Sequence, residues 1–251
     1  SGGGFVLLMG GQVVNAGAIT TPNGQAQFAA GDDFVLRRGY GTDQNVASTT
    51  RGNEIAPVFR AGSLAGLVRN DGMVSSAQGD ITLAGRTIEQ NGALIASTSV
   101  NTRGTIHLLN SATDTLGSVT LGAGSVTTVI PELESEETAL NSQRDGLIAA
   151  SATANQQRSQ QATGPFDNLS LLADRLDQSR IEIVSGGNVV FKGGAAGAGS
   201  LTIAQGGQVA VSAAGRIFAE RGATIDVSGV RDVSLAMSAN NIMVNIQGNE
   251  L

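Results

Sequence analysis

The sequence predicts an all-β chain: a β-solenoid carrying a partly helical insertion. Three observations point there. A phrase recurs along the chain: an apolar residue, three mostly polar ones, Gly, any residue, then an apolar residue or Thr. Short segments of period-two alternation, bounded by Gly, Asn or Asp, read as strands. The composition joins 35 Gly and 41% hydrophobic residues to only 3% aromatics, so any core is aliphatic and made of small pieces.

The first phrase runs from Val13 through Gly17 to Ile19, the second from Val68 through Gly72 to Val74. The third runs from Ile88 through Gly92 to Leu94, the fourth from Phe218 through Gly222 to Thr224. A second phrase, apolar-Thr-apolar, occurs at Ile81–Leu83, Val119–Leu121 and Leu201–Ile203. Val119 and Leu201 are expected inside. Such strands can pair as hairpins of a sandwich or stack as coils. The near-twenty-residue repeat favours coils, in which equivalent residues lie about 4.8 Å apart. "VVNAGAITTPNG" (13–24) is then most of one coil, with two corners and two short faces. Asn15, Gly17, Gly72, Gly92 and Gly222 form the expected corner set, since Gly and Asn tolerate left-handed backbone.

Coils are expected over 1–130, with an irregular excursion at about 38–57, and again over 181–251. Between them, 131–180 reads as an insertion. Pro131 followed by Glu132, Glu134, Glu136 and Glu137 fits a helix start, and Leu140, Leu147 and Ile148 could face the coils. Residues 150–163 read as a low-complexity loop. Leu169, Leu172 and Leu176 give a second short helical stripe.

A net charge of −6 argues against a general nucleic-acid binder. Absence of Cys removes disulfides, thiol nucleophiles and thiolate metal sites. No apolar run is long enough to span a bilayer as a helix, so no membrane insertion is expected. The opening Ser1-Gly2-Gly3-Gly4 reads as a cut from a longer protein.

Candidate chemistry is sparse. Asp32-Asp33 near Arg37 and Arg38 is the best local cluster, and it reads as a solvated corner with a basic strand end. Asp226 and Asp232 flank Gly229, one on a strand and one in a turn. His107, the only histidine, reads as a solvent-face or satisfied polar side chain rather than a base. "GGAAGAGS" (193–200) lacks the spacing of a phosphate loop and reads as a flexible corner. Arg37, Arg38 and Tyr40 in "LRRGYG" are the candidate interaction surface. No cofactor and no metal site is expected.

Taken together, "GGFVLLMGGQVVNAGAITTPNGQAQFAAGDDFVL", "DQSRIEIVSGGNVVF" and "GSLTIAQGGQVAVSAAGRIFAERGATIDVSG" resemble coils of the filamentous haemagglutinin family, bacterial exoproteins of the two-partner secretion route. The resemblance implies a right-handed parallel β-helix. It also implies export through an outer-membrane β-barrel transporter to the cell surface or medium. The role implied is adhesion or biofilm formation in virulence, against an unidentified host-cell or matrix glycan or protein receptor. The family's Asn-Pro-Asn-Gly motif is matched only in part by Thr21-Pro22-Asn23-Gly24, and Asn-Pro-Asn-Leu is absent, so the segment is expected downstream of the secretion domain or at its end, and recognition by the export pore is not assigned to it. Two alternatives stand beside this: a β-helix enzyme acting on acidic polysaccharide, and the stalk of a contact-dependent toxin-delivery exoprotein.

Overall fold

The computed structural model describes residues 3–38, 53–99, 103–133, 179–195 and 197–230. Among them there is no helix, and strands succeed one another in groups of three. The first coil comprises β1 (Phe5–Gly10), β2 (Gln12–Asn15) and β3 (Ala18–Thr20). The second holds β4 (Gln25–Ala30), then a side excursion of β5 (Asp33–Arg38) and β6 (Asn53–Val58), then β7 (Leu67–Asn70) and β8 (Met73–Ser76). The third is β9 (Asp80–Ala84), β10 (Thr87–Gln90) and β11 (Ala93–Thr98). The fourth is β12 (Thr105–Leu109), β13 (Ser118–Leu121) and β14 (Val126–Pro131). The fifth is β15 (Arg180–Ser185), β16 (Asn188–Phe191) and β17 (Leu201–Ala204). The sixth is β18 (Gln208–Ala213), β19 (Ile217–Ala219) and β20 (Thr224–Asp226).

Corresponding strands of successive coils pair in parallel, giving three six-stranded sheets in a solenoid-like stack. Alternation decides the facing. In the first sheet Ala26, Ile81, Ile106 and Ile181 form one inward column, and Phe28, Leu83, Leu108 and Ile183 the next. The second sheet adds Val13, Val68, Ile88, Val119 and Val189, and the third adds Ile19, Val74 and Leu94. These columns meet in one continuous aliphatic core. Like residues stack on like, so each coil completes the burial its neighbour began.

The first three phrases align residue for residue, with Val13, Val68 and Ile88 in one column and Ile19, Val74 and Leu94 in another. Their corners, however, are not held by left-handed backbone. Gly72 and Gly92 are needed because the preceding coil approaches too closely for a side chain, whereas a Cβ on Gly17 would meet only Asn15 Oδ1 at 3.9 Å. A Cβ on Gly72 would collide with the Gly17 carbonyl oxygen, and one on Gly92 with the Gly72 carbonyl oxygen. Asn15 does not take positive φ either. Its side chain turns inward, donates from Nδ2 to Asn70 Oδ1 at 2.8 Å, and accepts the Gly17 N–H at 3.1 Å. Asn70 passes the ladder on, donating to Gln90 Oε1 at 2.8 Å, and Gln90 donates to the carbonyls of Gly92 and Val126.

The fourth phrase is out of step. By register Ile217, not Phe218, continues the column below Val189, both side chains being exposed in this sixth coil. The corner there is a wider four-residue turn, closed by Ala223 N–H donating to Glu220 O, with Gly222 at φ +95° in its third position. Only glycine takes that conformation without strain. Leu201 also faces outward. Thr202 fills the interior position instead, beside Thr127.

The excursion expected over 38–57 is irregular only in part. β5 and β6 form an antiparallel ribbon pairing Asp33 with Val58 through Arg38 with Asn53, and residues 39–52 lie outside the described residues. Pro131 does not open a helix. It ends β14 opposite Thr98, Glu132 N–H donates to Thr98 O, and the Glu132 carboxylate accepts from Gln78 and Ser97. The remaining helical and loop expectations for the insertion fall in 134–178, outside the described residues. β15 resumes directly against β12.

Candidate functional site

The polar side chains of the first sheet gather on its outward face. Gln25, Asp80, Thr105, Arg180 and Gln208 occupy one column there, and Gln27, Thr82, His107 and Glu182 the next. All nine are buried. Alternation in "QAQFAA", "DITLA", "TIHLL" and "RIEIVS" produces this directly, because every second residue points away from the core.

The ribbon covers the upper coils of this face. Ile55 packs with Ala29 and Ala84, flanked by Leu7 and Phe34. Asn53 fastens its base: the carbonyl accepts from Gln25 Nε2 at 2.6 Å and Gln27 Nε2 at 2.5 Å, while its N–H donates to Gln25 Oε1 at 3.0 Å. Lower down, Thr105 donates to the Asp80 carboxylate. His107 Nδ1 lies 3.0 Å from Glu182 Oε2, and Arg180 Nη2 lies 3.8 Å from the same oxygen. His107 therefore sits neither in solvent nor at an open site. It is fully buried beside a carboxylate, which fixes its ring.

A cavity of about 270 Å³ opens where this face meets the preceding corner, lined by Phe5, Gln25, Asn53, Gln78 and Asp80 with glycine backbone between them. Among the described residues its lining holds one carboxylate, Asp80, which accepts from Thr105. No group of three or more metal-ligating side chains gathers among the described residues.

The residues singled out from sequence are spread out. Arg37 is exposed on β5 opposite Glu54, Arg38 pairs through its backbone with Asn53, and Tyr40 lies outside the described residues. Asp32 and Asp33 are engaged by Arg60. Its backbone N–H donates to Asp32 at 2.9 Å and its guanidinium lies 2.9 Å from Asp33. The Ser63 hydroxyl first, then that N–H, hold Asp32 below the usual carboxylate range. Asp226 ends β20 and accepts the Ser228 N–H at 2.8 Å, while Asp232 lies outside the described residues. In "GGAAGAGS", Ser200 is buried and its N–H donates to Lys192 O at 2.8 Å.

Sequence reasoning passed over Gln25, Asn53, Asp80, Arg180 and Glu182. Their polar alternation was visible, but it reads the same on a solvated face as on a covered one. No family model, no curated protein and no solved structure matches the chain.

Proposed function

We propose that this chain is a rod segment of a large secreted or cell-surface bacterial adhesin, wound as a right-handed parallel β-helix. In this reading it has no catalysis of its own. Its parent is exported through an outer-membrane β-barrel transporter and serves attachment or biofilm formation. The observation that carries the reading is the in-register stack of three parallel sheets, from whose corners segments leave and rejoin without breaking the ladder. Continuous backbone pairing and a shared aliphatic core give stiffness, and segments leaving the corners offer recognition surface. The resemblance to filamentous haemagglutinin-like coils supports the same role.

The test compares the full chain with a variant lacking 134–178, binding both to a glycan and host-cell panel. Leu133 and Ser179 would be joined by a linker as short as the Ser99–Gly104 corner, which makes the same passage one coil earlier. Binding by the full chain, lost in the shortened one, is the expected result. A chain that binds nothing in either form would replace adhesion with a spacer role.

A further inference from the structure

Apart from the amide ladder, a further polar pocket in the interior spans two coils. Ser125, Thr127, Ser200 and Thr202 are all fully buried, and the hydroxyl of each lacks a hydrogen-bond partner among the described residues. They form two stacked pairs. Thr127 pairs in register with Thr202, and Ser125 lies over Ser200, whose following residue Leu201 donates its N–H to Ser125 O at 2.8 Å. The pocket is closed along the rod: Leu94 precedes Thr127 in its column and Ile225 follows Thr202. Leu121 and Phe191, both fully buried, belong to the same two coils. Four orphaned hydroxyls in one dry compartment would be costly, because each loses its bonds to water on burial.

Strand spacing supplies the resolution. Equivalent oxygens on adjacent strands lie about 4.8 Å apart, too far for a direct hydrogen bond. A water making two bonds of about 2.8 Å spans that gap at an angle of about 118°, close to tetrahedral. Threonine also occupies the position where the preceding coil places Leu94, so the column shortens there by one carbon. We propose that this pocket binds two structural waters, one bridging Thr127 Oγ1 to Thr202 Oγ1 and one bridging Ser125 Oγ to Ser200 Oγ. Each water then has two protein partners, within the range of buried waters in globular proteins. The site is independent of the adhesin reading.

The test is a high-resolution crystal structure of the full chain beside the isosteric double variant Thr127→Val/Thr202→Val. Density between each hydroxyl pair in the parent, with the Thr–Thr water alone absent from the variant, is expected. Direct hydroxyl–hydroxyl contact, empty density in the parent, or a Thr–Thr peak that persists in the variant would overturn the assignment.

Discussion

Replacing Asn70 by Leu should be far more damaging than replacing the whole amide ladder. Asn70 is fully buried between Asn15 and Gln90, accepting from one and donating to the other at 2.8 Å each. Leucine has a similar shape but strands two buried amide groups, Asn15 Nδ2 and Gln90 Oε1. Each orphaned group costs about 1–3 kcal/mol. At about 2 kcal/mol for each group, less an offset of up to about 2 kcal/mol for burying the leucine, the net loss is about 2–4 kcal/mol. In the triple variant Asn15→Leu/Asn70→Leu/Gln90→Leu no buried side-chain amide is stranded, and the Gly17 N–H that loses Asn15 Oδ1 belongs to an exposed residue that water can reach. The Gly17, Gly72 and Gly92 carbonyls still accept the N–H groups of Met73, Ala93 and Val126. The apolar column of Leu121 and Phe191 would simply extend upward. The triple variant should therefore lie within about 1 kcal/mol of the parent, by the same asymmetry between stranded and fully replaced pairs. Equilibrium urea unfolding of parent, single and triple variants measures this. A single variant costing under about 0.5 kcal/mol, or a triple costing more than the single, refutes the reasoning.

Other consequences follow from particular contacts. Val119→Asp places an unpaired charge in the core and should cost more than about 4 kcal/mol, whereas Leu201→Asp, on the outward face, should shift the melting temperature little; equal melting shifts would show the facing of β17 to be wrong. Arg86 holds two side segments together, reaching Asp114 at 2.8 Å, the Ser63 carbonyl at 2.8 Å and the Phe59 ring; Arg86→Ala should cost about 1–3 kcal/mol and speed proteolytic nicking in 59–65 and 111–117, and unchanged cleavage there would exclude the clamp. The Glu220 carboxyl is held below its usual range by Lys192 at 2.8 Å and then by the Gly193 N–H. Its folded pKa is depressed, so its contribution is present above the ordinary carboxylate pKa and lost as pH falls through the folded value. Lys192→Ala should raise the Glu220 midpoint in a carbon-detected NMR titration, and no movement would remove Lys192 as the cause.

The first three coils were legible because two signals coincide there. Glycine spacing and inward apolar residues both follow the same tight corner, so Val13, Val68 and Ile88 could be aligned from sequence alone. The signal failed where both alternating sets are apolar or small. In Leu201-Thr202-Ile203-Ala204 either set could face in, and in Ile217-Phe218 the wider turn before Thr224 moves the phrase by one residue. Period-two alternation fixes that neighbours face oppositely, and not which one faces the core. The corner residues were found for a reason that holds at Gly222 and not at Gly72 or Gly92, where close approach of the preceding coil replaces backbone handedness; at Gly17 neither applies. The cover over Gln25 and Gln27 was not legible, because it comes from Asn53, 28 residues from Gln25. A local pattern carries no trace of a partner so distant.

The in-register stack is the central claim, and the absence of native cysteine makes it directly measurable. Val14, Arg69, Glu89, Thr120, Val190 and Phe218 form one outward column across all six coils. Spin labels on cysteines at Val14 and, in turn, Thr120, Val190 and Phe218 should give pulsed-EPR distances growing by about 4.8 Å per coil, to about 24 Å for the last pair. Distances that do not rise in that order, or that place Phe218 nearer to Val14 than Thr120, would contradict the stack.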